Sequence, residues 1–258
     1  FVDRCSTTVV DAYLTPTVHK YVEKLKEFTG DIPLKIMQSN GGLVEASKLQ
    51  GKNLILSGPA GGVVGAIETS MRLGRKKIIC FDMGGTSTDV AHCLGKIDYR
   101  SKTEIEGISI VAPMVDVHTV AAGGGSIVNF DGVQLKVGPA SAGSEPGPAC
   151  YKRGGPLTIT DCNLLLGFLN PECFPKCFGK DNNQMLDRQI VSTEFEKLIV
   201  SSNSQQLQKM NIYQVAEGFI KMANEKMANA IKKISIDKGH DVRSYSLSCY
   251  GGAAPQHC

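Results

Sequence analysis

The feature that most restricts the fold of this chain is an acidic, glycine-rich segment at residues 82–89, Asp-Met-Gly-Gly-Thr-Ser-Thr-Asp. An apolar run at residues 77–82 leads into its first aspartate, and residues 86–93 alternate in the manner of a second strand. Strands on both sides predict a β-hairpin with the glycines at its tip, whereas a Walker or Rossmann glycine loop opens a helix. The chain should therefore contain a sheet with a glycine hairpin.

The residues at this tip suit the binding of a phosphate group. Gly84 and Gly85 allow the backbone to approach a phosphate closely, and successive N–H groups there can form an anion-binding nest. Thr86 and Thr88 add hydroxyl donors. We predict that these four residues bind a nucleotide cofactor through its phosphates.

The two acids of the segment predict a metal. Asp82 and Asp89 repel phosphate, but they can hold Mg²⁺ through its water ligands or orient an attacking water. We take both as candidate catalytic and metal-binding residues. The alternative for the segment is a tight Gly-Gly hairpin with a capping aspartate.

Two further glycine clusters have more than one interpretation. Gly251, Gly252 and Ala253 follow a strand-like run, and small residues there would let a flat group such as adenine lie against the backbone; a plain strand-to-helix turn is the alternative. Residues 121–126, Ala-Ala-Gly-Gly-Gly-Ser, suit a second anion site, a hinge or a tight bend between strands.

Hydrophobic periodicity predicts an α/β chain with mixed α+β character. Pro16 predicts that the first regular helix begins near that residue. A domain boundary is expected near residue 75, which separates residues 1–75 from residues 76–258. The predicted helices span residues 10–29, about 62–73, 161–169, 187–200 and 212–237. The predicted strands span residues 34–38, 54–56, 77–82, 86–93 and 245–250, and further strand-like runs continue through residues 108–120 and on to residue 137.

Composition excludes several classes of protein. The 28 basic and 25 acidic residues are scattered and leave a net charge of +3, so we expect no nucleic-acid partner. No apolar run reaches the roughly 18 residues of a membrane span. The nine cysteines lack zinc-site spacing, which favours reduced thiols and a cytoplasmic location. Because the chain opens at Phe1 without Met, we expect it to be a domain of a longer protein.

Several long motifs, in order along the chain, resemble the hydantoinase A/5-oxoprolinase family. The hairpin segment is similar to the second phosphate loop of the actin/hexokinase/Hsp70-like ATPase superfamily, and residues 251–253 are similar to its adenosine loop. Residues 149–156 and 174–179 resemble the ATP-dependent 5-oxoprolinase branch in particular. The matching runs are residues 37–42, 56–65, 81–90, 119–126, 137–155, 160–161, 238–241 and 251–253.

The resemblance implies a function and a fold. Members of that branch use ATP, Mg²⁺ and a potassium-like cation (K⁺) to open 5-oxo-L-proline to L-glutamate, a step of glutathione metabolism. The implied fold is a ribonuclease-H-like, actin-like ATPase domain with a mixed sheet and flanking helices. Residues 1–75 would end the first actin-like domain and its connecting helices, and residues 76–258 would form the second. The partners would then be the remaining domains of the protein, with a homodimer kept as a candidate assembly, and the chain alone would be inactive.

The chain also departs from the family pattern, and other functions stay open. Ala140 stands where the family usually has Glu, Ala254 where it usually has Gly, and Cys162 where it often has Ala. The alternatives are a hydantoinase or ketone-carboxylase subunit of the same family, and a nucleotide-binding domain without turnover.

Four weaker signals complete the set of candidates. His118 suits a substrate or metal ligand, although a structural histidine is the commoner case, and His92 is expected to be structural. The long loop at residues 138–155 is expected to serve a catalytic or interface role. Thr160 and Asp161 together suit a helix N-cap first and a substrate contact second.

Overall fold

The computed structural model describes residues 2–105, 107–202 and 204–258; Phe1, where the sequence opens, lies outside them. The chain divides into two compact units. Unit 1 comprises Phe1–Cys80, Ala91–His118 and Asp241–Ser248, and unit 2 comprises Phe81–Val90, Thr119–His240 and Cys249–Cys258. The expected boundary at residue 75 stays a prediction.

Unit 1 combines two helices with short antiparallel strand pairs. Helix α1 (Val2–Thr29) and helix α2 (Ser57–Arg72) are its longest elements. One small core contains Val22, Ala46 and Leu49, and another contains Ile110, Ala112 and Met114. The strand pairs are β1 (Lys35–Met37) with β2 (Leu43–Glu45), β5 (Tyr99–Arg100) with β8 (Met114–Val115), and β6 (Thr103–Ile105) with β7 (Ile108–Ile110).

The predicted start of α1 is wrong, because the helix begins at Val2 and continues through Pro16. The hydroxyl groups of Ser6, Thr7 and Thr8 donate to the carbonyl four residues earlier, at 2.8–3.2 Å. These residues therefore satisfy their own polar groups within the helix and do not interrupt it.

The predicted strand at residues 54–56 is also absent. A 3₁₀ helix, Gly51–Leu54, and a turn occupy the region, and α2 begins at Ser57, so its glycines lie in the first helical turns. Three apolar residues are too few for periodicity to separate a strand from a packed turn. The turn predicted at residues 40–42 is confirmed, since it joins β1 to β2.

Four strands form the central sheet, in the order β12-β3-β4-β9. They are β3 (Lys77–Met83), β4 (Thr88–Leu94), β9 (Val117–Val120) and β12 (Ser246–Tyr250). Each strand contributes residues to both units. The apolar residues of β3 are buried, which explains why this run forms a strand in the interior of the sheet.

Unit 2 packs helices around one large apolar core. Strands β10 (Ser126–Phe130) and β11 (Leu135–Ser141) pair antiparallel, so the predicted loop from residue 138 begins as a strand. Helix α6 begins at an Asn211 cap, and its apolar residues, spaced by three and four, lie in the core as predicted. The helices are α3 (Ile159–Leu166), α4 (Arg188–Ser201), α5 (Gln205–Gln208) and α6 (Ile212–Ile234).

The predicted mixed α/β class, with flanking helices, is confirmed. Among the described residues, no helix is both long enough and apolar enough to cross a membrane.

Candidate functional site

The glycine hairpin lies where the sequence predicts it. Strands β3 and β4 are neighbours in the sheet and are joined by residues 84–87 alone, so they run antiparallel. The Gly84 N–H donates to the Ser87 carbonyl at 3.1 Å and closes the turn. This arrangement confirms the predicted hairpin with its glycines at the tip.

The second glycine run, residues 121–126, packs directly on this tip. The Gly124 N–H donates to the Gly84 carbonyl at 3.0 Å, and the Gly125 N–H donates to the Gly85 carbonyl at 2.6 Å. A Cβ atom at Gly123 would lie 2.7 Å from the Gly85 carbonyl group. Glycine is required there because the two backbones touch, and this close approach is a more specific role than the bend, hinge or anion site that the sequence left open.

The third loop, residues 251–253, reaches the same end of β3. The Ala253 N–H donates to the Met83 carbonyl at 2.9 Å. Gly251 has a φ of +88°, and a Cβ there would fall on Asp82 Oδ1. Gly251 is therefore fixed both by its left-handed backbone and by the lack of space.

The carbonyl groups of Gly84, Gly85 and Ser87 accept hydrogen bonds from the protein, while several N–H groups of the tip donate to none. Within the described residues, the N–H groups of Gly85, Thr86 and Ser87 donate to no protein acceptor. Gly85 and Thr86 are exposed. Consecutive free N–H groups at a hairpin tip can bind an anion.

Two carboxylates flank the tip and affect one another. Burial, followed by the charge of Asp89, raises the pKa of Asp82 above its ordinary value. Asp89 is half-buried and accepts a hydrogen bond from the Thr119 hydroxyl at 2.5 Å. A cation near Asp82 would lower its pKa, since a positive charge favours the ionised carboxylate.

The donor set restricts what metal these acids can hold. The described residues contain no cluster of three or more His, Cys, Asp or Glu side chains suited to a metal. Two carboxylates fit Mg²⁺, which keeps several of its waters and binds through one or two carboxylates together with phosphate oxygens. Asp82 and Asp89 are thus compatible with Mg²⁺ that arrives with a nucleotide.

The hydroxyl of Thr88, predicted to donate to phosphate, donates instead to the protein backbone. Its side chain is fully buried, and its hydroxyl donates to the Ala122 carbonyl at 2.5 Å. Side chains alternate along a strand, so Thr88 and Val90 face inward while Asp89 faces the other way. Thr88 therefore joins β4 to the loop at residues 121–126, and Thr86 is the exposed hydroxyl of the pair.

A cavity of about 290 Å³ is lined by residues of the three loops and by a group of apolar side chains, all within unit 2. The loops contribute Gly84, Gly85, Gly124, Gly252 and Ala253. The apolar side chains, here called the apolar wall, are Tyr151, Leu169, Phe174 and Leu186, and Thr160 and Gln256 are polar members of the lining.

The apolar wall was missed by sequence reasoning. Tyr151 comes from the loop at residues 138–155, and its ring lies 4.6 Å from that of Phe178. Isolated aromatic and leucine residues in loops carry no periodic signal, so only the fold brings them together. One member of the long loop thus lies at the cavity, and the loop's predicted catalytic or interface role stays a prediction.

Gln256 is held in place by a chain of hydrogen bonds. The Asn163 amide donates to Gln256 Oε1 at 2.8 Å, and Gln256 Nε2 donates to the Gly252 carbonyl at 3.2 Å. His257 lies beside it, with Nδ1 2.7 Å from Asn224 Oδ1, and burial lowers the pKa of His257 to about 4. The imidazole is therefore neutral near pH 7, with its Nδ1 proton assigned from the hydrogen bond to Asn224.

Thr160 and Asp161 take different places from those predicted. The helix N-cap is Thr158, and Asp161 lies at the third helical position, where its carboxylate accepts the Thr158 N–H at 2.8 Å. It also accepts the Cys150 N–H at 2.8 Å. Thr160 donates its N–H to the Gly124 carbonyl at 2.7 Å and lies at the cavity. Asp161 is thus structural, and Thr160 supports the glycine loops.

The two histidine candidates both lie in unit 1. His92 is buried, with its ring nitrogens 2.9 Å from Asp98 Oδ2 and 2.9 Å from the Tyr245 hydroxyl. These contacts confirm the structural interpretation of His92. The role of His118, which is half-buried, stays a prediction.

Comparison with known proteins finds relatives that match nearly the whole chain. The chain is 43% identical over 267 residues to 5-oxoprolinase 1 of Arabidopsis thaliana, which covers 99% of this chain and 21% of that protein. The crystal structure of the ATP-dependent caprolactamase from Pseudomonas jessenii has a TM-score of 0.76 and 34% identity, over 97% of this chain and 36% of that one. The nucleotide-free structure of acetone carboxylase, from a study of ATP-dependent acetone carboxylation, has a TM-score of 0.78 and 30% identity. The match covers 93% of this chain and 33% of that one.

The chain therefore spans about a fifth of the length of the 5-oxoprolinase that it resembles. The family model described as hydantoinase/oxoprolinase matches residues 4–258. It covers both units and all three glycine loops. This chain is a member of the hydantoinase/oxoprolinase family.

Proposed function

We propose that the protein containing this chain opens 5-oxo-L-proline to L-glutamate with hydrolysis of ATP, and that the cavity of unit 2 binds the nucleotide. The observation that carries the proposal is the meeting of three glycine loops, with free N–H groups and two acids, beside an apolar wall. The names of the relatives supply the substrate class, since an ATP-dependent caprolactamase and a 5-oxoprolinase both act on lactams.

The residues divide between the two ends of a nucleotide. The N–H groups of Gly85, Thr86 and Ser87 donate to phosphate oxygens, and the Thr86 hydroxyl adds a further donor. The apolar wall and Ala253 take the base, because a flat apolar ring gains from leaving water. Mg²⁺ would supply positive charge next to the phosphates, held by Asp82 and Asp89.

ATP is needed because the substrate is unreactive. Amide resonance deactivates the carbonyl group of an unstrained lactam towards water. Transfer of the terminal phosphoryl group of ATP to the carbonyl oxygen releases ADP and gives a good electrophile. Water then attacks the carbon, the ring C–N bond breaks with a proton passing to the nitrogen, and phosphate is released. The residues of this chain act by position and charge, as is usual in phosphoryl transfer. The need for K⁺ and the link to glutathione metabolism belong to the same proposal.

The metal role is tested by Asp82→Ala in the intact protein. We expect ATP-dependent lactam opening to fall by about 10²–10³-fold or more, since a charge at the reacting group is lost. The fold should persist, because the substitution removes a half-buried carboxylate whose ionisation burial disfavours. Asp181→Ala, at an exposed position, is the matched control and should keep full activity. Near-normal turnover in Asp82→Ala would rule out the role given to this carboxylate.

A second candidate is a ketone-carboxylase or hydantoinase subunit, which the acetone carboxylase similarity favours. A nucleotide-binding domain without turnover is the third. Phosphate release measured with 5-oxoproline, with hydantoin, with acetone plus bicarbonate, and without substrate separates them. Stimulation by 5-oxoproline alone supports the proposal, and stimulation by either other substrate contradicts it.

A further inference from the structure

Two cysteines, Cys249 and Cys258, flank the loop at residues 251–256. The sulfur atoms of Cys249 and Cys258 lie 2.7 Å apart, although both residues are free thiols. Cys249 lies near the end of β12, and Cys258 follows the 3₁₀ helix Ala254–Gln256. The separation is less than about 1 Å longer than a disulfide bond of about 2.05 Å, so bond formation requires little movement.

We propose that Cys249 and Cys258 form a redox-modification site, in which a small-molecule disulfide converts the two thiols into a disulfide that secures the loop at residues 251–256. Neither residue belongs to the set to which we assign nucleotide binding. The bond itself is independent of the proposed function. Any effect of the bond on nucleotide binding rests on that function.

The order of the exchange follows from exposure and charge. Cys258 is exposed, whereas burial and the neighbouring Cys258 raise the pKa of Cys249 to about 12. The Cys258 thiolate therefore attacks one sulfur of the reagent, forms a mixed disulfide and releases one small thiol. Capping Cys258 removes one cause of the raised Cys249 pKa. The Cys249 thiolate then attacks the Cys258 sulfur and releases the second small thiol, so both electrons pass to the reagent.

The bond would act on the loop that lines the cavity. The Ala253 N–H bonds to the Met83 carbonyl at 2.9 Å, and the His257 N–H bonds to the Ala254 carbonyl at 3.0 Å. These amides exchange with solvent when the loop opens locally. A cross-link between its two ends restricts the open state, so exchange at these amides should slow.

The bond is tested by treating the intact protein with oxidised glutathione. The sequence from Ser244 to Cys258 contains no Lys or Arg, so trypsin leaves both cysteines in one peptide. We expect that peptide to be lighter by the mass of two hydrogen atoms and to resist alkylation. Reduction should restore both its mass and its alkylation. Cys258→Ser and Cys249→Ser should each abolish the change. The double variant Cys173→Ser/Cys177→Ser, at two exposed cysteines, is the matched control and should retain it.

Hydrogen exchange tests the effect on the loop. We expect exchange at the Ala253 and His257 amides to slow by about 10-fold or more in the oxidised protein, and not in Cys258→Ser. Oxidation of Cys173 or Cys177 without the Cys249–Cys258 bond would overturn the proposal, as would bond formation with unchanged exchange. ATP binding by the reduced protein is measured in parallel, and its absence would refute the proposed function while leaving the disulfide result intact.

Discussion

At the residue scale, the two acids of the hairpin have different surroundings. Asp89 accepts the Thr119 hydroxyl, whereas burial and the Asp89 charge raise the pKa of Asp82. A nearby cation would therefore favour the ionised form of Asp82, which its surroundings disfavour. This asymmetry makes Asp82 the better position at which to test whether a metal belongs to the site.

His257 predicts a pH dependence of stability. Burial lowers its folded-state pKa to about 4, below the ordinary value of 6.5. The unfolded chain therefore binds more protons between these values, so this contribution to stability is present above pH 6.5 and is lost as the pH falls towards 4. We expect His257→Gln to reduce the slope of unfolding free energy against pH in this window by up to about 1.4 kcal/mol per pH unit. Urea unfolding at a series of pH values measures the slope, and an unchanged slope would contradict the buried neutral imidazole.

Residue chemistry made part of this site predictable and left the rest hidden. Adjacent glycines between two strand-like runs identify a hairpin tip, and the flanking acids mark it as a candidate site. The burial of Thr88 depends on which face of β4 turns inward, and the sequence around the hairpin does not determine that face. Gln256 carries no signal in the sequence, since its place depends on Asn163, 93 residues away.

At the scale of elements, the site is held together by main-chain hydrogen bonds between loops. Gly124 and Gly125 bond to the hairpin, and Ala253 bonds to the end of β3. Each loop begins where a strand ends, so the sheet sets their relative positions. This arrangement explains why small residues recur at all three.

Two neighbouring glycines give a matched pair of variants. We expect Gly251→Ala to destabilise the chain by about 1–3 kcal/mol, because φ is +88° and the new Cβ would meet Asp82 and lie 2.6 Å from the Met83 carbonyl oxygen. Gly252→Ala should leave stability nearly unchanged, since among the described residues no atom beyond its immediate chain neighbours lies within 4 Å of its Cβ position. Denaturant unfolding compares the two variants. Equal losses would show that the close approach at Gly251 is not what fixes that residue.

Element prediction succeeded where the period was long and failed where the run was short. The 23 residues of α6 show their period over several turns, and the helix lies where it was expected. Residues 54–56 contain only three apolar side chains, and they form the end of a 3₁₀ helix and a turn instead of a strand. Pro16 predicts too late a start for α1, because the helix begins at Val2 and accommodates the proline in its interior.

At the scale of the whole molecule, the chain spans about a fifth of its 5-oxoprolinase relative and contains one Asp-x-Gly-Gly-Thr run. The superfamily resemblance implies two phosphate hairpins that close on ATP. We therefore expect residues 1–258 alone to show no 5-oxoproline-stimulated ATP hydrolysis, since one hairpin cannot hold both ends of a triphosphate or exclude water.

Phosphate release by the isolated chain, with and without 5-oxoproline, measures this directly. Isothermal titration with ATP reports binding separately from turnover. The intact protein, assayed under the same conditions, is the positive control. Robust stimulation by 5-oxoproline in the isolated chain would show that a single hairpin suffices.

The main-chain bonds among the three loops also constrain how such a protein can evolve. Most point mutations change a side chain and leave N–H and carbonyl groups where they were, so the contacts at Gly84, Gly85 and Ala253 persist through sequence drift until an added atom collides. The apolar wall depends instead on which side chains stand at positions such as Tyr151 and Phe174. Selection can therefore remodel ligand preference at the wall within a few substitutions, while the glycine loops are inherited almost unchanged.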